Sequence, residues 1–232
     1  GNLTLLAEKF GVSFQTTSKY FQRNNLKSVN GGISASEKRF RDEVKELAQG
    51  MTVLYNVRNV IGPKELDIYI PEKNLAIEFC GSFWHSEAMK SDKKYHYNKW
   101  KNCQSIGIKL LTFWDLEVEE RRKQIMSFIS SNLGIYDRRV YARETDFIAT
   151  DENLNWFFEE NHIQGKVRID KNFALIERNT GDVLGAVAYA PHHRDNSKMT
   201  LNRIAFKSGV HVVGGFSKLI NNSVNLIEGD VI

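Results

Sequence analysis

Apolar residues change their spacing several times along this chain, and each change marks an element. Residues 3–25 read LTLLAEKFGVSFQTTSKYFQRNN, with apolar positions at helical spacing on both sides of Gly11-Val12. The pattern predicts a short helix to Phe10, a turn, Ser13 as N-cap, and a second helix with Phe14, Thr17 and Phe21 inward. This is the outline of a helix-turn-helix whose second helix would offer Gln15, Thr16, Lys19 and Arg23 to a major groove. A plain helical hairpin would show the same spacing, so both readings stay open here.

The stretch KSVNGGI, residues 27–33, has linker composition. Ser34 or Ser36 then caps a helix through Leu47, with Phe40, Val44 and Leu47 at helical spacing. Strands are expected over 52–60, 65–70 and 75–80, a helix over 92–106, a buried strand over 108–114 and a helix over 116–133. The predicted order is α, β, β, β, α, β, α. From Arg138 onward the pattern predicts a strand at 139–143, a helix from Glu152 to Asn161, strands at 173–178, 183–190 and 199–206, and a helix opening at Gly214-Gly215. The fold class is thus a combination of α/β and α+β, in three parts: residues 1–30, 31–136 and 137–232.

Composition narrows the classes. The 232 residues are 41% hydrophobic and 26% charged, which is globular, and no apolar run approaches the ~20 residues of a membrane-spanning helix. Two cysteines cannot build a disulfide framework, which points to a reducing, intracellular setting. The chain opens Gly1-Asn2-Leu3, as a processed or excised chain would, and nothing at its start resembles a signal peptide. Net charge is +4, and its distribution matters more than its size. Between Lys90 and Lys101 five lysines stand against the single acid Asp92, with Tyr95, His96, Tyr97 and Trp100 among them. Cationic and aromatic side chains interleaved in this way suit a phosphate backbone, so Lys93, Lys94, His96 and Lys99 are candidate DNA contacts. A solvated helix face would also carry such a run.

The sharpest chemical signal is a pair of carboxylates. ELDIYI (65–70) and LAIEFC (75–80) are joined by Pro71-Glu72-Lys73-Asn74, which predicts an antiparallel hairpin. If Ile70 pairs with Leu75, Asp67 falls opposite Glu78, with β-carbons about 5 Å apart. Two like charges at that distance repel, and a divalent cation between them would turn the penalty to use. Any antiparallel strand places polar residues on its open face, so the hairpin alone defines no site. His85, seven residues beyond Glu78 in GSFWHSE, adds a titratable group where loops tend to hold chemistry. Glu37 on the preceding helix offers a third carboxylate. Cys80, His85 and His96 lack the paired spacing of a zinc site.

DIYIPEKNLAIEFCGSFWHSE (67–87) resembles the active-site segment of very-short-patch repair endonucleases, and CQSIGIKLLTFWDLEV (103–118) resembles their helix, glycine and final buried strand. A nearer likeness is to phage homing endonucleases of the EDxHD group, which share a restriction-endonuclease-like αβββαβα nuclease core within the PD-(D/E)xK superfamily. The resemblance covers about residues 34–133. It implies Glu37 as the helix glutamate, Asp67 as the metal-binding aspartate, Glu78 as the second carboxylate and a further metal ligand, the carbonyl of Phe79 as a third ligand and His85 as the group that activates water. Cys80 stands where the superfamily has its lysine, so His85, with His96 or Lys99, would have to substitute. Further on, LNRIAFKSGVHVVGGFSKLINN (201–222) is similar to the strand, glycine loop and helix start of N-acetyltransferase-like folds, with N–H groups at Gly214 to Phe216 as an anion site. ENHIQGK (160–166) resembles segments that follow the nuclease in related phage proteins.

The expectation is a site-specific, homing-type DNA endonuclease using Mg²⁺ or Mn²⁺, binding duplex DNA and no membrane, in the cytoplasm of a phage-infected bacterial host. Its rivals are a mismatch-directed nickase, a non-catalytic DNA-binding protein, and an acyltransferase acting through the C-terminal part. Target sequence and oligomeric state are not legible.

Overall fold

The computed structural model describes residues 3–24, 33–81, 94–227 and 230–231. His85 and Lys93, two of the expected functional residues, lie outside them. The chain separates into two compact units, Gly1–Glu46 and Leu47–Ile232.

In the first unit α1 (Leu3–Phe10) and α2 (Phe14–Arg23) are joined by a turn through Gly11, which sits at φ 60° in the left-handed region that glycine tolerates. Ser13 caps α2, its Oγ accepting from the Thr16 N–H at 3.1 Å. Ala7 and Thr17 are buried, while Phe14 and Phe21 are half-buried. The third helix, α3 (Ala35–Leu47), is capped by Ser34, which takes the Glu37 N–H at 3.1 Å, and Phe40 and Val44 are buried at the predicted spacing.

The second unit opens with a four-stranded sheet in the order β1 (Leu54–Ile61), β2 (Lys64–Ile70), β3 (Leu75–Cys80), β4 (Lys109–Trp114). The first three strands run antiparallel and β4 runs parallel to β3, which requires a crossover; α4 (Tyr95–Ser105) lies within it. All six residues of β3 are buried, as its nearly continuous apolar run requires of a central strand. The turn between β2 and β3 is a short 3₁₀ segment, Pro71–Lys73, closed by Asn74 at φ 45°, a conformation asparagine accepts more readily than most residues. In β1 the ladder slips between Val57 and Ile61, where Asn59 takes positive φ, and Asn56 does the same just before Val57. The helix expected over 116–133 is two helices, α5 (Asp115–Glu120) and α6 (Arg122–Leu133), broken at Arg121. Arg121 there reaches Glu159 at 2.6 Å, a contact with no local signature in the sequence.

Beyond α6, β5 (Arg138–Tyr141), β6 (Thr145–Thr150), α7 (Asn155–Asn161), β7 (Lys171–Glu177), β8 (Val183–His192), β9 (Asp195–Phe206), β10 (Val210–Val213), α8 (Gly215–Val224) and β11 (Asp230–Val231) follow. Five of these strands form a sheet ordered β11-β9-β8-β7-β6, and β5 pairs with β10 as a parallel ribbon. One apolar cluster joins Leu219 of α8 to Leu175, Val187 and Tyr189, and to Val140, Val210 and Val212 of the ribbon. A second joins Phe157 and Phe158 of α7 to Ala174, Ala186, Ala188 and Ala205. The sheet is thus covered on both faces, and the class is mixed α and β with several sheets. Three strands escaped the sequence reading: β6, β10 and β11. The segment read as a glycine loop before α8 contains β10, whose pairing with β5 spans 72 residues, Val210 to Arg138, and leaves no local periodicity to detect. The boundary expected at residue 136 falls inside the second unit, and that expected at residue 30 falls inside the first. Among the described residues no helix is long and apolar enough to cross a membrane.

Candidate active site

The hairpin register is the expected one: Ile70 faces Leu75, Tyr69 faces Ala76 and Ile68 faces Ile77. One step further Asp67 and Glu78 come opposite each other, and there side chains take over the bonding. The Asp67 N–H donates to Glu78 Oε1 at 3.1 Å, and the Phe79 N–H donates to Asp67 Oδ2 at 3.1 Å. Each carboxylate is fastened to the backbone of the opposite strand. This reciprocal clamp fixes the two acids side by side despite their repulsion.

A third charge makes the arrangement tenable. Lys99 is buried, 3% exposed, and its Nζ donates to Glu78 Oε2, with Glu78 itself 6% exposed. The expectation that Lys99 contacts DNA from the surface is therefore corrected: it belongs to the site. The helix explains why. Lys99 precedes buried Cys103 by one turn and shares its inward face, whereas Tyr97, Trp100 and Lys101 point outward. The i, i+4 relation between Lys99 and an apolar residue was the available signal. Lys94 is exposed, as expected of a phosphate contact. His96 is half-buried, its ring 5.7 Å from Trp114, the β4 residue that pairs with Cys80.

Electrostatics follow from burial. Desolvation, then the charge of Asp67, pushes the Glu78 carboxyl up to about 7 against the opposing pull of Lys99. Burial works against the Lys99 ammonium as well, but Glu78 outweighs it and holds the amine above its usual range. The Cys80 thiol is raised to about 12, first by burial and then by Glu78 and Asp67. It is a neutral thiol near pH 7 and a poor nucleophile or metal ligand. Asp115, at the end of β4, adds to that field and was not singled out from sequence, although an acid directly after a buried strand was visible in FWD.

The other expected residues separate. Glu37 lies in the first unit and pairs with Arg41 of the same helix at 2.6 Å. Gln15, Thr16, Lys19 and Arg23 are exposed on α2, with the Thr16 hydroxyl 2.8 Å from that of Ser13. At the start of α8, Gly214 is the N-cap at φ 76° and no side chain caps the helix. Among the described residues no group of three or more His, Cys, Asp or Glu side chains is placed to hold a metal ion. A divalent cation nonetheless fits the charge of the cluster, since Asp67, Glu78 and Lys99 sum to one negative charge when ionised. Both Glu78 oxygens and Asp67 Oδ2 accept hydrogen bonds.

Comparison with protein-family models, with curated proteins and with solved structures found no match for the chain.

Proposed function

We propose that the chain is a metal-dependent DNA endonuclease of the homing type, built on a PD-(D/E)xK-like core that includes β1 to β4, α4 and the helices after β4. The observation that carries this reading is half-buried Asp67 clamped against the buried pair of Glu78 and Lys99. The superfamily's acid-x-lysine strand lacks its lysine here because Cys80 holds that place, and Lys99 supplies an ammonium to the same carboxylate from α4.

Mg²⁺ or Mn²⁺ would be held by Asp67 and the Phe79 carbonyl, where it would polarise the scissile phosphate and offset charge on the leaving oxygen. Glu78 keeps Lys99 charged and in place, and its Oε1 fixes the backbone of Asp67. His85 is the proposed acceptor of the proton from the attacking water. Glu37, on α3, is the proposed helix glutamate. The exposed face of α2, with Lys19 and Arg23, and the outward face of α4, with Lys94 and Lys101, would hold duplex DNA. A homing nuclease of this kind would work in the cytoplasm of a phage-infected bacterium.

The acyltransferase alternative has less behind it, because it rests on the single turn at 214–216, between β10 and α8, where no side chain caps the helix. Incubating the full chain with long duplex DNA, with Mg²⁺ and with excess chelator, tests the proposal. Discrete Mg²⁺-dependent products support it, cleavage that survives chelation refutes the metal role, and cleavage restricted to mismatched duplex favours the repair nickase.

A further inference from the structure

The two outer edges of the four-stranded sheet are built differently. At β1 the ladder slips and Asn56 and Asn59 take positive φ, irregularity of the kind that blunts an edge against further pairing. At β4 the residues from Lys109 to Trp114 keep an unbroken register with β3, and the strand holds no proline and a single charge, Lys109 at its start. The Lys109 N–H donates to the Asn74 carbonyl at 2.8 Å, so alternation turns the main-chain groups of Lys109, Leu111 and Phe113 toward β3 and those of Leu110, Thr112 and Trp114 outward. Glu117 accepts the outward Trp114 N–H at 3.5 Å. Among the described residues no strand lies beyond β4, and nothing bonds the outward N–H and C=O groups of Leu110 and Thr112.

This regular edge is recessed. Leu110 to Phe113 form one wall of a cleft of about 610 Å³, within the roughly 300–1,000 Å³ of ligand sites. A second wall is α6, whose Gln124, Ser127, Phe128 and Ser131 fall on one stripe at i, i+3, i+4 and i+7 while Ile125 and Ile129 are buried away from it. The turn after α7 and the end of β9 complete the lining. Charge there is balanced. The charged lining residues are both engaged, Glu117 with the Trp114 N–H and Lys207 with Asp182 at 2.7 Å. Burial, then Arg203, pushes His162 down to about 4, so its ring is neutral at pH 7, and Arg203 itself donates to the Gly165 and Asn202 carbonyls. Neither lining charge is left to draw a phosphate chain or an ionic peptide.

We propose that β4 takes up an extended, uncharged polypeptide segment of a partner protein as an added strand in this cleft. Donors and acceptors alternate along its outer edge in the order that another extended main chain complements, and such main-chain bonds supply affinity whatever the side chains. Phe128, 41% exposed, and Ile163 offer apolar surface to alternate side chains of the segment. A cleft of about 610 Å³ takes a single short segment and keeps out the edge of a second sheet. The pairing is independent of DNA cleavage.

Amide exchange of the full chain, resolved by residue with NMR and with no peptide present, should show the Leu110 and Thr112 N–H groups exchanging at least about ten-fold faster than those of Leu111 and Phe113. Equal protection would mean that the edge is already covered and overturns the proposal. Phage display of random seven-residue peptides against the full chain should return uncharged sequences, and the most enriched one, made synthetically with capped ends, is then measured by calorimetry. Thr112→Pro removes an outward donor without removing a bond to β3, and should weaken that peptide on the order of ten-fold or more. N-methylation at one set of alternate peptide residues should abolish binding and at the other set leave it nearly unchanged, because an added strand pairs through one set only. If Thr112→Pro lowers the thermal midpoint, Ser127→Trp, which narrows the cleft from α6, carries the comparison and should weaken the peptide to a similar degree. Absence of an enriched peptide, enrichment of acidic or basic ones, or binding indifferent to N-methylation and to both variants would overturn the added strand. Displacement of the peptide by duplex DNA would give the cleft to nucleic acid instead.

Discussion

Replacing Lys99 by Met keeps most of the side-chain volume and removes only the ammonium. In the parent, Lys99 and Glu78 are both nearly inaccessible, at 3% and 6%, and each is the other's charge partner. Two opposite charges 4 Å apart attract by about 4 kcal/mol at an effective dielectric constant near 20, a gain that desolvation partly consumes. Removing one member leaves the other buried without compensation, which costs about 3–5 kcal/mol. Here the loss is compounded, because Asp67 remains opposite Glu78 with no cation to offset it. Lys99→Met should therefore lose about 3 kcal/mol or more in urea unfolding near pH 9, where the Glu78 carboxyl is ionised in the parent, followed by circular dichroism. Adding Glu78→Gln removes the orphaned charge while retaining an acceptor for the Asp67 N–H. That double variant should recover at least half of the loss, and it should remain inactive in the cleavage assay because the ammonium is still missing. A Lys99→Met protein as stable as the parent, or a double variant less stable than either single one, would show that the pair is not the electrostatic centre of this sheet.

Asp67→Asn should stop cleavage while DNA binding stays level or tightens, since it removes a negative charge facing phosphate; His85→Ala should slow cleavage by on the order of 10² to 10⁴ with metal affinity little changed. Loss of DNA binding in the first, or full activity in the second, would refute those roles. In the C-terminal sheet, bonds from Arg138 and Thr180 hold the Glu177 carboxyl down to about 2. Its folded value lies below the unfolded one near 4.3, so its stabilisation is present above that pH and lost as pH falls toward 2. Glu177→Gln should thus cost about 1–2 kcal/mol at pH 7, discounted because Arg138 is substantially exposed, and the gap from the parent should close in acid unfolding. Cys80 and Cys103 are buried, so iodoacetamide at pH 8 should modify neither until the protein is unfolded, and Cys80→Ser should leave cleavage nearly intact. Deleting residues 1–30 removes Lys9, Lys19, Arg23 and Lys27 and should lower the salt slope of DNA binding; an unchanged slope would make that segment structural only.

The sequence by itself determined the local features of this protein. Period-2 and helical spacings located α2, α3, β2, β3, β4 and α8, and Ser13 and Ser34 marked the helix starts at which they act as caps. A four-residue connection leaves two strands little choice of register, which is why Ile70 opposite Leu75, and hence Asp67 beside Glu78, could be read without coordinates. Such features depend on a few consecutive residues and on backbone sterics.

Tertiary structure decided the rest. The Lys99 ammonium finds Glu78 across 21 residues, and only the packing of α4 against the sheet turns it inward while Lys94 and Lys101 of the same run stay in solvent. Arg121, at the break between α5 and α6, meets a carboxylate 38 residues away, and β10 has its strand partner in β5. In each case the deciding partner is distant in the chain. The free energy that selects the arrangement comes from burial and from pairing charges out of water, and neither is encoded in the spacing of neighbouring residues.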